Sequence, residues 1–319
     1  MCYYRTIFYL FIALLPIFTI VSCCKTCLIA NSELSYLKTG DYKTWKNVTT
    51  ITSNTKSAKI LPQNGGQVLS YSMNGVNIFS SPSNTPIYLG DSSLDVSMKT
   101  PLEISKSHYQ IFKPDTILFS NTLLSSSYLK FIKKFNMNLN NGDLTVTQYF
   151  KNNANNEKLL LFDNKIMFKK GGFFIVPVNI ISELSNSWVD LDENKKITSS
   201  NYIRTYSDKL FIKTTDLQFK VGTDNISGWV AYVYQDLLFV AKFPRKGKLE
   251  YTDKLSLIID SGNDNVCLNI PSHIKYLTPG SEYIFSQKWS IIKLDKTINS
   301  FDDAFNIFKK LRVSLIINR

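Results

Sequence analysis

Histidine is almost missing from this chain: His108 and His273 are the two in 319 residues. Cysteine is scarce as well, at five, and shows no set of spacings from which a disulfide framework can be read. Cys24-x-x-Cys27 has the spacing of a redox or zinc pair, but it has no second pair and no nearby histidine. It reads as incidental thiols, so no metal is expected; no nucleotide motif is present either, and no cofactor is expected. No apolar run reaches the roughly 20 unbroken residues that a membrane-crossing helix needs. Acidic residues are outnumbered 25 to 37 by lysine and arginine, leaving a formal charge of +12. Such an excess can favour acidic glycans, anionic lipid heads or nucleic acid. Here the lysines are scattered singly in a chain rich in asparagine and isoleucine, which reads as a solvated surface.

What is present begins with a leader. Arg5 precedes an apolar run from Ile7 to Val21, interrupted by Pro16 and followed by Ser22 and Cys23. That is the order of an export signal. Ile20-Val21-Ser22-Cys23 resembles the bacterial lipobox, so residues 1–22 are expected to be removed and Cys23 to carry the lipid. More than one lipid chain gives stable attachment to a membrane without spanning it. The expected location is the cell envelope, with a secreted or periplasmic protein as the outcome if the lipobox is not used. Export also argues against a nucleic-acid partner. Residues 23–42 are mostly polar and suit a tether.

Beyond the tether, short alternating runs are separated by Gly, Asn, Asp and Pro. Gln67-Val-Leu-Ser-Tyr-Ser72, Asp143-Leu-Thr-Val-Thr-Gln-Tyr-Phe150 and Trp229-Val-Ala-Tyr-Val-Tyr234 are examples, bounded by turns such as Asn74-Gly75 and Pro279-Gly280. This predicts an antiparallel all-β protein, a sandwich or barrel, over residues 43–296. One helix is expected in the remaining segment, 297–319. Ser300 can cap it, and Phe301, Ala304, Phe305, Phe308 and Leu311 share one face suited to docking on a sheet.

Three segments together carry a family resemblance. The stretch from Asn64 to Phe79, with its Gly65-Gly66 turn, resembles the opening of galactose-mutarotase-like proteins, the aldose 1-epimerase superfamily. Leu144 to Pro177 is similar to the central strands of that fold. The third runs through Phe219-Lys-Val-Gly-Thr223, Gly228-Trp-Val-Ala-Tyr232 and Leu238-Phe-Val-Ala-Lys242 to Trp289. The resemblance implies an antiparallel β-supersandwich with a carbohydrate groove on a concave face, and points to a branch common among exported bacterial proteins.

Mutarotases open the pyranose ring with a glutamate as general base and a histidine as general acid, since one proton must leave the anomeric hydroxyl while another reaches the ring oxygen. Neither histidine here stands in the context that the resemblance implies. Where the glutamate is expected, the chain reads Val266-Cys-Leu-Asn-Ile-Pro271, and Gln287 stands where an acid is common. No catalytic residue is therefore assigned. Asp190-x-Asp192-Glu193 and Asp260-x-x-x-Asp264 read as acidic loops rather than as the carboxylate pair of a glycosidase.

Sugar binding needs less: an aromatic face and a few polar groups that fix orientation. Trp188, Trp229, Tyr232 and Trp289 are candidates for the face, with Trp229 and Trp289, which lie in strongly apolar strands, better suited to a core. Lys220, Lys242, His108, Asp91 and Asp163 are candidates for the polar contacts. Lys220 and Lys242 stand out because each interrupts an apolar strand. The expectation is a membrane-anchored protein that binds carbohydrate without catalysis. An aldose epimerase or other sugar-active enzyme with a different residue set remains open, as does an envelope interaction module that has lost the groove.

Overall fold

Alternation along Leu129–Met137 shows how the sequence makes sheet: Leu129, Phe131, Lys133, Phe135 and Met137 are buried and the residues between them are not. A side-chain period of two leaves such a segment one inward face. The computed structural model describes residues 36–61, 63–83, 87–91, 108–112, 116–123, 128–179, 181–184, 186–192, 201–215, 217–225, 227–245 and 251–310. Cys23, the leader and the tether up to residue 35 lie outside these residues, as does Leu311. Within the segment read as tether, Leu37–Tyr42 is a strand.

That strand, β1, opens a five-stranded antiparallel sheet with β2 (Trp45–Ser53), β3 (Lys56–Leu61), β4 (Gln67–Met73) and β5 (Val76–Asn77), in chain order. The β4–β5 turn is Asn74-Gly75, with φ of 50° and 80°, the two positive values that a tight hairpin requires. There follow β6 (Ile87–Asp91), β7 (His108–Phe112), β8 (Thr116–Leu123), β9 (Leu129–Met137), β10 (Leu144–Asn152), β11 (Lys158–Lys169) and β12 (Phe173–Pro177). Next come β13 (Val189–Asp190), β14 (Ile203–Tyr206), β15 (Lys209–Lys213), β16 (Phe219–Thr223), β17 (Trp229–Tyr234) and β18 (Leu237–Lys242). The last are β19 (Leu257–Ser261), β20 (Asn265–Pro271), β21 (Lys275–Leu277) and β22 (Glu282–Lys293).

Two large sheets result. One has ten strands in the order β14-β15-β12-β17-β18-β22-β10-β9-β8-β7, and the other seven in the order β13-β16-β19-β20-β11-β21, with β6 also paired to β11. Between them lies the main core. Phe131, Phe150 and Phe285 come from the larger sheet, Phe162, Phe168 and Leu268 from the smaller, and Ile51, Val68 and Tyr71 from the first sheet. Phe150 and Phe162 stack at 4.7 Å across the gap. Burying each such ring is worth about 1.5–3 kcal/mol. Gly172 is required at the junction of β11 and β12, because a Cβ there would lie 2.1 Å from the Val233 carbonyl oxygen and 2.6 Å from the Tyr232 ring.

A second core lies on the far face of the ten-stranded sheet. Phe173, Ile175, Phe211, Trp229 and Val240 are covered there by Phe301, Ala304 and Ile307 of the C-terminal helix, Phe301–Lys310. The helix starts as its sequence suggests: the Asp303 N–H donates to Ser300 Oγ at 3.0 Å, and that hydroxyl donates to the Asp303 carboxylate at 2.8 Å. Ser300→Ala is expected to cost about 1 kcal/mol in chemical denaturation.

Candidate functional site

The outward face of the seven-stranded sheet carries the polar chemistry. On β20, Val266, Leu268 and Ile270 enter the core, so Cys267 and Asn269 point the other way. On β11, Phe162, Ile166 and Phe168 enter it, so Asp163, Lys165 and Met167 face out. The strand pairing then sets two rows across four strands. Lys220 stands opposite Asp260, Asp260 opposite Cys267, and Cys267 opposite Met167. In the next row Gly222 stands opposite Ile258, Ile258 opposite Asn269, and Asn269 opposite Lys165. Tyr88 of β6 reaches the Asp163 carboxylate at 3.5 Å. With strands about 4.8 Å apart and same-face residues about 7 Å apart along each, the patch measures about 14 Å across the strands.

Its electrostatics are balanced: Lys165 and Lys220 stand with Asp163 and Asp260. Burial pushes the Cys267 thiol up to about 12, with these four charges around it, so at neutral pH it is a neutral wall. Burial, reinforced by the Asp163 charge, likewise raises the Tyr88 phenol and keeps it a hydrogen-bond donor. Asn269 is 8% exposed, and its Oδ1 finds no hydrogen-bond partner among the described residues. A buried carbonyl in that condition calls for a partner that the described residues do not supply. Leu191 and Leu255 close over Gly222, where a Cβ would lie 2.6 Å from Leu255.

The residues singled out from sequence divide between the two large sheets. Lys220 lies in the patch, exposed. Asp91 ends β6 in the same sheet, opposite Lys158. Trp188, just before β13, is half-buried against the main core. Lys242 is on the ten-stranded sheet, opposite Trp229 and Lys288, where burial and then the Lys288 charge lower its pKa. His108 begins β7 at the edge of that sheet, opposite Ser120. Trp229 is 4% exposed and stacks on Phe308 of the helix, with centroids 5.9 Å apart. The lysine pair and His108 therefore do not meet in one groove. His273, the other histidine, is buried at 5% exposure with its Nδ1 3.1 Å from the Tyr283 hydroxyl.

Lys165, Asn269 and Cys267 were not singled out, and Asp260, read as part of an acidic loop, is in mid-strand. The signal available for Asn269 was its place in the stretch where the family resemblance leads one to look for a glutamate. Lys165 had only its alternation with Phe162, Asn164 and Ile166.

No protein-family model matches the sequence, and no curated protein matches it. Solved structures do match by shape. A protein from Synechocystis sp. PCC 6803 superposes with a TM-score of 0.57 at 12% identity, over 80% of this chain and 98% of that one. A putative aldose 1-epimerase from Escherichia coli K12 gives 0.56 at 9% identity, over 77% and 99%. A galactose mutarotase related enzyme from Lactobacillus acidophilus gives 0.52 at 11% identity, over 79% and 99%. The fold is galactose mutarotase-like. In this mutarotase-like fold the two large antiparallel sheets are as the sequence resemblance implied, the short C-terminal helix is as the sequence pattern predicted, and the five-stranded first sheet is an addition. The identities are low enough that the likeness concerns architecture, and the chemistry must be argued from the residues on the patch.

Proposed function

We propose that the chain is an exported, lipid-anchored protein whose mutarotase-like domain binds a carbohydrate on the outward face of the seven-stranded sheet without turning it over. The observation that carries this reading is Asn269, which stands on β20 opposite Lys165, within the stretch where the family resemblance leads one to expect a glutamate. An amide cannot take the proton of an anomeric hydroxyl. Both histidines of the chain are elsewhere, one buried against Tyr283 and one on the other sheet. What the patch does supply is directional hydrogen bonding: the Tyr88 hydroxyl beside Asp163, two ammoniums and two carboxylates. Two positive and two negative groups suit a neutral sugar better than a strongly acidic one.

Cys23 supplies the anchor in this account, and residues 24–36 the spacer that holds the domain off the membrane. The no-turnover part is tested by polarimetry on freshly dissolved galactose and glucose. Equilibration at the rate of buffer alone is expected, and acceleration that is lost in Lys165→Ala would establish the enzyme reading instead.

A further inference from the structure

The five-stranded first sheet turns one face to the main core through Ile51, Ala58 and Tyr71, and the other face away from it. On that second face Lys38 stands opposite Thr50, Thr50 opposite Lys59, and Lys59 opposite Ser70, a row across four strands. Tyr42 and Trp45 pair across the β1–β2 turn and cover the small cluster of Val48, Leu61 and Leu69. The Lys59 and Lys43 ammoniums lie 4.1 Å and 5.6 Å from the centre of the Tyr42 ring. Tyr36, where the chain enters β1, is 45% exposed.

Charge here is nearly of one sign. Residues 36–61 carry five lysines and one acidic residue, Asp41. Lys46 holds Asp41 at 2.5 Å, and Lys56 lies on the core side, 3.7 Å from Asp143. Among the described residues Lys38, Lys43 and Lys59 meet no carboxylate. Tyrosine and tryptophan beside lysine is the chemistry of a membrane's head-group layer, where the rings sit among the lipid heads and ammoniums meet negative charge. The place of the sheet in the chain adds to this. Leu37 follows Cys23 by 14 residues, which span at most about 50 Å, so with a lipid on Cys23 the first sheet is the part of the described chain tied closest to the bilayer. A tethered face needs only a weak contact to hold an orientation. We propose that this face of the first sheet lies against the anionic head groups of the bilayer that the anchor enters, with Lys38, Lys43 and Lys59 on the lipid charges and Tyr42 and Trp45 at the head-group level. Its geometry rests on the lipid-anchored reading, its choice of an anionic surface on the lysines alone.

The test uses the full chain and reads position, so that attachment through the N-terminus does not confuse it. The protein is mixed with vesicles of phosphatidylcholine, alone or with phosphatidylglycerol, both carrying a phosphatidylcholine spin-labelled near its head group to quench tryptophan. Trp45→Phe, measured in parallel, isolates the share of Trp45 from that of the other tryptophans. Mass spectrometry of the N-terminal peptide reports separately whether Cys23 is acylated. Trp45 quenching is expected to be roughly tenfold stronger with phosphatidylglycerol than without, since each lysine at an anionic surface contributes appreciably. It should fall to the phosphatidylcholine level in a Lys38→Gln/Lys43→Gln/Lys59→Gln variant, and for the wild type in about 1 M salt, where screening is complete within a few ångströms. Stronger quenching with phosphatidylglycerol on a chain whose Cys23 is unmodified supports this face while removing the anchor. Equal quenching in the two kinds of vesicle, whatever the state of Cys23, overturns the proposal, as does quenching that survives both the triple variant and high salt.

Discussion

Lys133→Met is expected to stabilise the protein at neutral pH by on the order of 3 kcal/mol and to flatten its stability above pH 7. Lys133 occupies an inward position of β9 and is 3% exposed, beside a cavity of about 10 Å³ lined also by Ser83, Gln148, Asn164, Gln287 and Trp289. Burial pushes its amine down from 10.5 to about 7. Between those two values the unfolded chain binds a proton that the folded chain does not, so stability falls as pH is lowered through that window and levels off below about 7. Methionine has similar length and carries no proton to lose. Urea denaturation of both proteins at pH 7 and at pH 9.5 checks this: the wild type should gain stability at the higher pH and the variant should not. A variant less stable than wild type at pH 7 would mean that the polar contacts of Lys133 outweigh its desolvation.

Phe162→Ala is expected to destabilise by about 3–5 kcal/mol, the range for removing a large ring from a packed core. Phe162 stacks on Phe150 at 4.7 Å, meets Phe285 edge-on at 5.3 Å, and lies 6.1 Å from Tyr283. Its backbone N–H donates to Ser272 Oγ at 3.0 Å, which ties β11 to the end of β20. Since Asp163 and Lys165 follow on the same strand, a cavity beneath them should loosen the patch as well as the core. A lower urea midpoint with an unchanged slope is the expected record. A loss under about 1 kcal/mol would mean that the two sheets do not meet as described.

Much of the architecture is legible because sheet-forming signals are local. Alternation in Leu144–Asn152 and Leu129–Met137, and turns such as Asn74-Gly75, depend on neighbouring residues only. The helix is legible for the same reason, with Ser300 and the Phe301, Ala304, Phe305 and Phe308 face close together in sequence. The patch is different. Lys165 and Asn269 are brought side by side by the register of β11 against β20, and nothing near either residue specifies that register. Alternation likewise sets Lys220 on the opposite face from Phe219 and Val221 without showing what lies beyond it, whereas Trp229–Tyr234 is apolar throughout and does not say which of its faces meets the main core. Trp229 meets Phe308 of the helix, whereas Lys220 meets solvent. Lys133 is the reverse case: a lysine among Leu129, Phe131, Phe135 and Met137 on one face is visible in the sequence as an anomaly, and the structure buries it.

The proposed sugar-binding face is tested most directly by a glycan array read with the wild type and with a Lys165→Ala/Asn269→Ala double variant. Wild-type protein should retain at least one neutral glycan, and the double variant should lose most of that signal, on the order of tenfold or more, since removing hydrogen-bond partners from a ligand site costs about 1–3 kcal/mol each. An array on which the wild type retains no glycan, or on which the double variant binds as well as the wild type, would contradict the account.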